Sequence, residues 1–350
     1  MKKNVLLYSH ELKTGGAPAV LCEMGKILKK KYNVIVLSPS DGMMRQQFEQ
    51  NGMEVLISGE ITDALRDVIA QEFDFIVANT TLALPIVIKL AGKIPVYWWI
   101  HENTPAYEGR CGMIEYYQFA AKYAKIFSAG HVAADNFYHF YKIETEILEF
   151  GLADNYLAER DVQRHQYINV ICPSTVCELK GQDILVHAIQ KMHAGLRNKC
   201  RFIFLGDLRN DNINEYRMIE KLTEEYVNVE FHSLVQREKL LDLYYDMDVV
   251  IAPSREDATP ATIVEGLMYH KICICSSGTG VSRYLQDGKN GFVFDNENVD
   301  DLKNKLEYIV RNYEGLNQLR ERGRTVYEEV YSYDMFEKNV LERIGSMNDC

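Results

Sequence analysis

Short apolar runs rich in valine and isoleucine alternate with amphipathic segments along most of the chain. Runs of this length, bounded by polar and turn-forming residues, predict β-strands, and the amphipathic segments between them predict α-helices. Strands that are apolar on both faces are typical of parallel sheets covered by helices. In the first half of the chain the predicted strands are residues 4–10, 33–39, 54–58, 73–80, 95–102, 125–130 and 145–151.

A polar stretch over residues 153–166 interrupts the alternation and predicts a linker. After about residue 298 only helical periodicity remains, which predicts three closing helices. With 350 residues the chain is long enough for two cores, so we expect two doubly wound α/β domains in series, at 1–160 and 166–330. The strands predicted for the second domain are residues 167–174, 200–206, 228–233, 248–254, 272–277 and 291–295.

Charge narrows the class of protein. A formal net charge of −11 disfavours a nucleic-acid-binding protein, because such proteins present a basic face to phosphates. Positive charge is concentrated at one predicted helix end, at Lys26, Lys29, Lys30 and Lys31. These lysines either form a solvated helix end or make a weak peripheral contact with an anionic membrane surface, and the sequence leaves both interpretations open.

Three features favour a cytoplasmic location. The apolar run after Met1-Lys2-Lys3 is too short for the ~7–15 residue core of a secretion signal, so it predicts the first strand. No window approaches the ~20 apolar residues that a membrane-spanning helix needs. The eight cysteines lack the paired spacing of metal sites, and those at 172, 273 and 275 lie in predicted strands as buried thiols.

Candidate site residues follow from the rule that ligands bind at the carboxyl ends of parallel strands. Each residue alone also has a structural interpretation, as a turn glycine or a surface side chain. The residues selected by the rule are Gly15 and Gly16 after the first strand, His101 and Glu102 at the end of the fifth, and Lys180, Gly206, Asp207, Glu256 and Asp257 in the second domain.

The segment SREDATPATIVEGL, residues 254–267, carries the most specific pattern. Thr259 predicts a helix N-cap and Pro260 a first helical residue. Helix N-termini bind phosphate through backbone amides that lack an intrahelical partner. The amides expected to do so are those of Ala261, Thr262 and Ile263.

Glu265 lies one turn further into this predicted helix, in an apolar context, and its carboxylate points back toward the N-terminus. Because a carboxylate repels a phosphate, its expected partners are the hydroxyls of a ribose attached to that phosphate. Asp257, in the preceding loop, would face hydroxyls on the other side of the phosphates. Alternatively, acidic residues here only favour the helix dipole, which accounts for Glu256 and Asp257 better than for Glu265.

The spacing Asp257-x7-Glu265 resembles the E-x7-E motif of the retaining glycosyltransferases of family GT4, with aspartate as the first acid. GGA at 15–17 resembles the family's first glycine loop, LKGQDILVHAI at 179–189 its KGxD helix element, and DGKNGFVFD at 287–295 its late hairpin. The resemblance covers nearly the whole chain. It implies the GT-B fold, in which two Rossmann-like parallel-sheet domains face each other across a cleft, and a C-terminal helix, about 332–350, that packs back onto the first domain.

The resemblance also implies roles for individual residues. Glu265 would bind the ribose, Asp257 the hydroxyls of the transferred sugar, and Lys180 the diphosphate, so that the second domain holds most of the donor. His101 matches a family histidine near the sugar and the reaction centre. Gly16 would let the backbone approach the phosphates or the sugar closely.

The chain departs from the family pattern at Ser174 and Thr175, where the family often has Gly-Arg. That arginine is a second cation on the diphosphate. Either the helix N-terminus and Lys180 suffice here, or Arg209 or Arg255 replaces the missing arginine.

A possible metal motif, Asp246-Met247-Asp248, imitates the DxD sequence of other glycosyltransferases. It precedes its predicted strand and therefore lies at the sheet edge opposite the ligand. We expect it to be structural, and we expect no required metal and no other cofactor.

The implied activity is hexosyl-type transfer, with retention, from a nucleotide-diphosphate sugar to a hydroxyl of a glycan, a lipid-linked glycan or a protein, in polysaccharide, glycolipid or cell-surface glycan synthesis. A nucleotide-sugar epimerase and a non-catalytic nucleotide-sugar-binding protein are the alternatives. The sequence leaves the base, the sugar and the acceptor undetermined. The residues that either shape an acceptor site or pack a helix are Tyr107, Arg110, Tyr116, Tyr117 and Phe119.

Overall fold

The chain folds into two compact units. The first unit comprises Met1–Gly151 and Tyr333–Cys350, and the second comprises Leu152–Ser332. The computed structural model describes residues 2–158, 160, 166–207, 213–233 and 235–344. Residues 159 and 161–165 of the predicted linker therefore lie outside the described residues.

A parallel sheet forms the centre of the first unit. Its strands are β1 (Asn4–Ser9), β2 (Asn33–Ser38), β3 (Glu54–Ile57), β4 (Phe75–Asn79), β5 (Val96–Ile100), β6 (Ala124–Ser128) and β7 (Glu146–Ile147). The helices between them are α1 (Gly16–Leu28), α2 (Met44–Gln50), α3 (Asp63–Glu72), α4 (Leu84–Leu90), α5 (Pro105–Glu108), α6 (Ile114–Ala121) and α7 (His131–Tyr141). The strand order is β3-β2-β1-β4-β5-β6-β7, and all neighbours are parallel.

In its described residues, the second unit repeats this architecture with six strands. They are β8 (Ile168–Pro173), β9 (Cys200–Leu205), β10 (Val229–His232), β11 (Val249–Ala252), β12 (Ile272–Ser276) and β13 (Phe292–Phe294), in the order β10-β9-β8-β11-β12-β13, all parallel. The helices are α8 (Gln182–Lys191), α9 (Ala194–Arg197), α10 (Ile213–Glu225), α11 (Arg237–Asp246), α12 (Ala261–Met268), α13 (Val299–Asn312) and α14 (Asn317–Val326). The last helix of the chain, α15 (Tyr333–Arg343), belongs to the first unit.

The predicted strands are all present at their predicted positions, because β4, β5, β11 and β12 and their neighbours are buried on both faces and so read as continuous apolar runs. The three closing helices are also confirmed, as α13, α14 and α15. The expected hairpin at 287–295 was wrong. A hairpin requires antiparallel strands, but β13 pairs in parallel with β12. The segment is therefore a turn followed by the edge strand β13.

Helix α15 completes the core of the first unit. Phe336 is fully buried and stacks on Trp99, with the two ring centroids 5.8 Å apart. Arg343 donates to the Ile147 carbonyl at 2.6 Å and pairs with Glu146 at 2.7 Å. Residues from the end of the chain thus cover the sheet formed by its beginning.

The lysines at the end of α1 make contacts within the first unit. Lys29 donates to the carbonyl oxygens of Asn51 and Gly52 at 2.6 and 2.7 Å, and Lys30 pairs with Glu337. Both ammonium groups therefore already have partners in this unit. None of the helices in the described part of the chain is both long and apolar enough to cross a membrane.

Candidate functional site

Each sheet has one point at which its strand order reverses. In the first unit this switch point lies between β1 and β4, and in the second between β8 and β11. The loops on either side of a switch point run in opposite directions and leave a crevice at the carboxyl ends of the strands. Gly15 and Gly16 follow β1, whereas Lys180 follows β8 and Asp257 follows β11.

At the second switch point, Lys180 and Asp257 form an ion pair between the ammonium group and one carboxylate oxygen. The two side chains are 29% and 11% exposed, so solvent screens this pair less than it screens a surface pair. The strand-end rule selects each residue separately. The structure joins them directly.

Backbone contacts hold Asp257 from both sides. Its N–H donates to the Gly278 carbonyl at 3.2 Å, and its own carbonyl accepts from the Gly280 N–H at 2.9 Å. Glu256, the adjacent candidate, is half-buried. The Asp257 side chain is therefore carried on a loop that is tied to the segment after β12.

Two glycines allow the loops of this edge to approach each other. Gly181, next to Lys180, has a φ of 65°, and a Cβ there would lie 2.1 Å from the Pro253 carbonyl oxygen. Gly206, predicted to bind the donor, would place a Cβ 2.0 Å from the Ser174 carbonyl oxygen. Any larger residue would force the backbones apart, so Gly206 has a packing role in addition to any contact with a ligand.

Glu265 lies inside α12 and is 1% exposed. One of its oxygens pairs with the guanidinium of Arg237, and the other accepts from the Tyr244 hydroxyl at 2.6 Å. Burial, and then the charge of Glu265, raise the pKa of Tyr244 well above its ordinary value. Tyr244 therefore remains a hydroxyl donor to this carboxylate.

Arg237 and Tyr244 are not among the residues that the sequence patterns predict for the site. Arg237 opens α11 shortly after the carboxyl end of β10, so the strand-end rule applied to β10 would have selected it. Tyr244 lies seven residues later, on the same helical face. No pattern in the sequence indicates that this face reaches Glu265.

The helix that carries Glu265 begins one residue later than predicted. α12 starts at Ala261, Pro260 is the cap residue, and the Thr259 hydroxyl donates to the preceding carbonyl, that of Ala258, at 2.7 Å. The predicted N-cap role of Thr259 was wrong because Pro260 has an extended ψ of 108°. The Ile263 amide donates to the Pro260 carbonyl at 3.0 Å, so helix geometry leaves the amides of Ala261 and Thr262 without an intrahelical acceptor.

Arg255 and Arg209 are the two candidates to replace the missing family arginine. Arg255 donates to both carboxylate oxygens of Asp183, at 2.8 and 2.6 Å, and pairs with Glu297 at 2.9 Å. Its charge is thus already met by two carboxylates. Arg209 lies outside the described residues.

At the first switch point, Gly15 and Gly16 begin α1. A Cβ on Gly16 would meet no atom within 4 Å among the described residues, and Gly15 has an extended φ of 178° that any residue adopts. Packing within the described structure therefore does not require glycine at either position.

His101 directly follows β5 and is half-buried. Its Nε2 lies 2.7 Å from Oδ1 of Asn79, the last residue of β4. Burial of the ring, and then the proximity of His10, lower the pKa of His101 to about 3. The imidazole is therefore neutral at physiological pH.

The loops around His101 are tightly hydrogen-bonded. The Glu102 carboxylate accepts from the Thr81 hydroxyl at 2.8 Å and from the His101 backbone N–H at 2.9 Å. Thr80 has a φ of 73°, which β-branched residues rarely adopt, and its carbonyl accepts from the Trp98 indole at 2.6 Å. Strained backbone held by its surroundings in this way is typical of functional sites.

The aromatic run after His101 divides into two groups. Tyr107 and Tyr117 are buried in the core, whereas Tyr116 and Phe119 are 58% and 42% exposed. Arg110 donates to the Thr81 hydroxyl at 2.7 Å, which places it near the carboxyl end of β4. Core packing thus explains the first pair and not the second.

The motif Asp246-Met247-Asp248 lies at the amino end of β11, as its sequence position predicts. Asp248 accepts from the Asn169 backbone N–H at 2.8 Å and from the Tyr313 hydroxyl. Within the described ranges, no group of three or more His, Cys, Asp or Glu side chains is arranged to hold a metal ion. Metal independence itself stays a prediction.

Two doubly wound parallel sheets in one chain are characteristic of GT-B glycosyltransferases, and solved structures of that fold resemble this one. The Anabaena protein HepE, crystallised with UDP and glucose, matches with a TM-score of 0.82 at 18% identity, over 98% of this chain and 100% of HepE. A glycosyltransferase from Rickettsia africae matches with a TM-score of 0.79 at 17% identity, over 100% of both chains. The fold is therefore GT-B.

Family models then identify the family. Residues 160–326 match the model described as glycosyl transferases group 1, and residues 1–139 match glycosyl-transferase family 4. The two models together cover most of the chain, which therefore belongs to the glycosyltransferases of the group 1, family 4 type. An uncharacterized glycosyltransferase from Methanocaldococcus jannaschii is 25% identical over 147 residues, which cover 41% of this chain and 39% of that protein. The chain thus spans less than half the length of the curated relatives that it matches.

Proposed function

We propose that this protein transfers a hexosyl group from a nucleotide-diphosphate sugar to a hydroxyl acceptor, with retention at the anomeric carbon and without a metal. The observation that carries the proposal is the partly buried pairing of Lys180 with Asp257 at the second switch point. A cation there meets the diphosphate, and a carboxylate beside it accepts hydrogen bonds from the hydroxyls of the sugar.

The proposed reaction breaks the bond between the anomeric carbon and the diphosphate. Negative charge then grows on the leaving diphosphate, and donors fixed in advance toward that charge lower the barrier. Lys180 and the first-turn amides of Ala261 and Thr262 are the donors that this edge offers. In a front-face reaction the acceptor oxygen bonds to the anomeric carbon on the face from which the diphosphate leaves. The leaving phosphate takes the proton of that hydroxyl, so no protein nucleophile is needed.

Glu265 is proposed to bind the ribose diol, with Arg237 and Tyr244 holding its carboxylate in place. Carboxylate oxygens have lone pairs for further donors besides these two. The presence of UDP and glucose in the HepE crystal supports a nucleotide-diphosphate hexose as the donor class. The acceptor is proposed to be a glycan, a lipid-linked glycan or a protein. The reaction would then serve glycan or glycolipid synthesis in the cytoplasm.

The proposal is tested by incubating the protein with sugars linked to UDP, GDP, ADP and dTDP and following nucleotide release in the presence of EDTA. Asp257→Asn should abolish most of the release, whereas Asp300→Asn, on an exposed face of α13, should leave it unchanged. Conversion of the sugar without nucleotide release would indicate the epimerase alternative. Donor binding with no conversion would indicate a binding protein.

A further inference from the structure

The side-chain amide of Asn79 has only one possible orientation. Asn79 is fully buried at the end of β4, and its amide lies between the Ala17 carbonyl, 2.9 Å from Nδ2, and the His101 Nε2, 2.7 Å from Oδ1. A carbonyl oxygen only accepts hydrogen bonds, so the NH₂ group must face Ala17. The amide oxygen of Asn79 therefore faces His101.

This orientation determines the tautomer of His101. An amide oxygen also only accepts, so the hydrogen of the imidazole must be on Nε2. The ring is neutral at physiological pH, since burial and the nearby His10 disfavour the imidazolium. Nδ1 then carries a lone pair and acts as an acceptor. Among the described residues, Asn79 is the hydrogen-bond partner of this ring.

We infer that Asn79 is a positioning residue, which presents Nδ1 of His101 as a hydrogen-bond acceptor to a hydroxyl of the bound carbohydrate. The inference rests on the proposed function for the carbohydrate, although the tautomer itself does not. A sugar hydroxyl suits this site because it can donate its hydrogen to Nδ1. A phosphate oxygen does not, since it has no hydrogen to donate.

Asn79 also joins the elements of the first switch point. Ala17 lies in the first turn of α1, directly after Gly15 and Gly16, and Asn79 itself ends β4. One amide thus ties the glycine loop of β1 to the histidine after β5. This arrangement holds the acceptor nitrogen in a set direction relative to the loop.

The tautomer is measured without substrate, on the whole protein labelled with ¹⁵N-histidine. The ring resonances of His101 are assigned by their loss in His101→Gln. We expect an unprotonated nitrogen at Nδ1 and a protonated one at Nε2, unchanged from pH 8 to pH 5. An Nδ1–H tautomer, or an imidazolium in this range, would overturn the inference even if the protein transfers sugars.

Two substitutions separate positioning from simple packing. Asn79→Ala removes the fixed partner, and transfer should slow by about tenfold, the effect of losing one hydrogen bond at a site. Asn79→Asp places a carboxylate beside Nε2, which raises the pKa of His101. His10 opposes this increase, and the Glu102 carboxylate lies on the same loop as His101. An imidazolium cannot accept at Nδ1.

Transfer by Asn79→Asp should therefore be low at pH 6 and recover toward the wild-type rate as the pH rises to 9, with the His101 resonances titrating in parallel. Asn33→Asp, an exposed residue of β2, should show the wild-type profile. A loss of transfer in Asn79→Asp that is the same at every pH, with His101 unchanged, would reduce Asn79 to a packing role. Absence of transfer by the wild type with every donor would contradict the proposed function and leave the tautomer result standing.

Discussion

At the scale of single residues, the two acidic residues of the family motif are each paired with a basic side chain. Asp257 pairs with Lys180, and Glu265 pairs with Arg237 while it also accepts from Tyr244. Both carboxylates are buried, so removing the basic partner of either one leaves a buried charge uncompensated, which costs more than losing a surface pair. Substitutions that keep the shape and remove the charge are therefore the informative ones.

Glu265→Gln should weaken nucleotide binding by at least about tenfold, because a hydrogen bond to a charged group contributes about 1.5–3 kcal/mol. The affinity for UDP, GDP, ADP and dTDP is measured by calorimetry, with Glu321→Gln as an exposed control. Arg237→Ala should weaken binding in the same direction. Unchanged affinity in Glu265→Gln would remove this residue from the nucleotide site.

Lys180→Ala should slow transfer by about 10²- to 10³-fold, the usual effect of deleting one donor to a developing anion. Because Arg255 is engaged by Asp183 and Glu297, we expect Arg255→Ala to slow transfer far less. Thr175→Arg should be tolerated or should tighten donor binding. Steady-state rates for the three variants decide the matter, and equal losses in both alanine variants would make Arg255 the second cation.

His101 should make the stability of the first unit pH-dependent. Its pKa of about 3 in the folded protein lies below the ordinary value of about 6.5, so the unfolded chain binds more protons in between. The stability contributed by the neutral ring is complete above about pH 6.5 and is lost as the pH falls, by up to about 1.4 kcal/mol per pH unit.

His101→Gln should remove this slope between pH 6.5 and 5, whereas His139→Gln, on the exposed face of α7, should retain it. Urea unfolding at each pH is followed by tryptophan fluorescence, because the two tryptophans, Trp98 and Trp99, are both buried in the first unit. Parallel slopes in wild type and His101→Gln would mean that other groups dominate the titration.

At the scale of secondary-structure elements, the carboxyl edge of the second sheet is built from loops that touch through their backbones. Gly181 contacts the loop after β11, and Gly206 contacts the loop after β8. Loops are usually the mobile parts of such a sheet. Close backbone contact instead makes these loops a connected support for Lys180 and Asp257.

Gly206→Ala should therefore destabilise the second unit by about 1–3 kcal/mol, because its Cβ would overlap the Ser174 carbonyl and force the backbone to shift. Gly315→Ala is the matched control, since a Cβ there meets no atom of the described residues within 4 Å. The free energy of unfolding is measured by circular dichroism in urea. A Gly206→Ala variant as stable as Gly315→Ala would show that the loops have room to separate.

At the scale of the whole molecule, the chain returns to its first unit after completing the second. Phe336 on α15 stacks on Trp99 of β5, so the core of the first unit contains residues from both ends of the chain. The first unit therefore cannot reach its full stability until the last helix has been made.

Phe336→Ala should destabilise the first unit by about 3–5 kcal/mol, the usual cost of deleting a buried aromatic ring. In urea, tryptophan fluorescence should report an unfolding transition at a lower urea concentration than in the wild type. Part of the change in circular dichroism should still occur at the wild-type urea concentration. Phe119→Ala, at a 42% exposed ring of α6, is the control. A single unchanged transition would indicate that α15 contributes little to this core.

The sequence by itself determined the strands and helices, because buried parallel strands appear as continuous apolar runs and the helices between them keep a 3.6-residue period. It also selected Lys180, Asp257 and His101, since parallel topology places the residues after each strand at one edge, and Glu265 from its apolar surroundings in the helix that follows. The predicted start of the helix that carries Glu265 was one residue too early, because the extended conformation of Pro260 makes Pro260, and not Thr259, the cap residue.

Only the tertiary structure decided which side chains meet. Arg237 and Tyr244 reach Glu265 from 28 and 21 residues away, and Asn79 joins Ala17 to His101 across 62 and 22 residues. Periodicity in the sequence indicates on which side of its own helix or strand a side chain lies. These contacts depend instead on how separate elements pack and on which rotamers that packing allows. The sequence therefore indicated the candidate edges and the class of chemistry. Packing determined the partners, the charge pairs and the tautomer through which that chemistry would act.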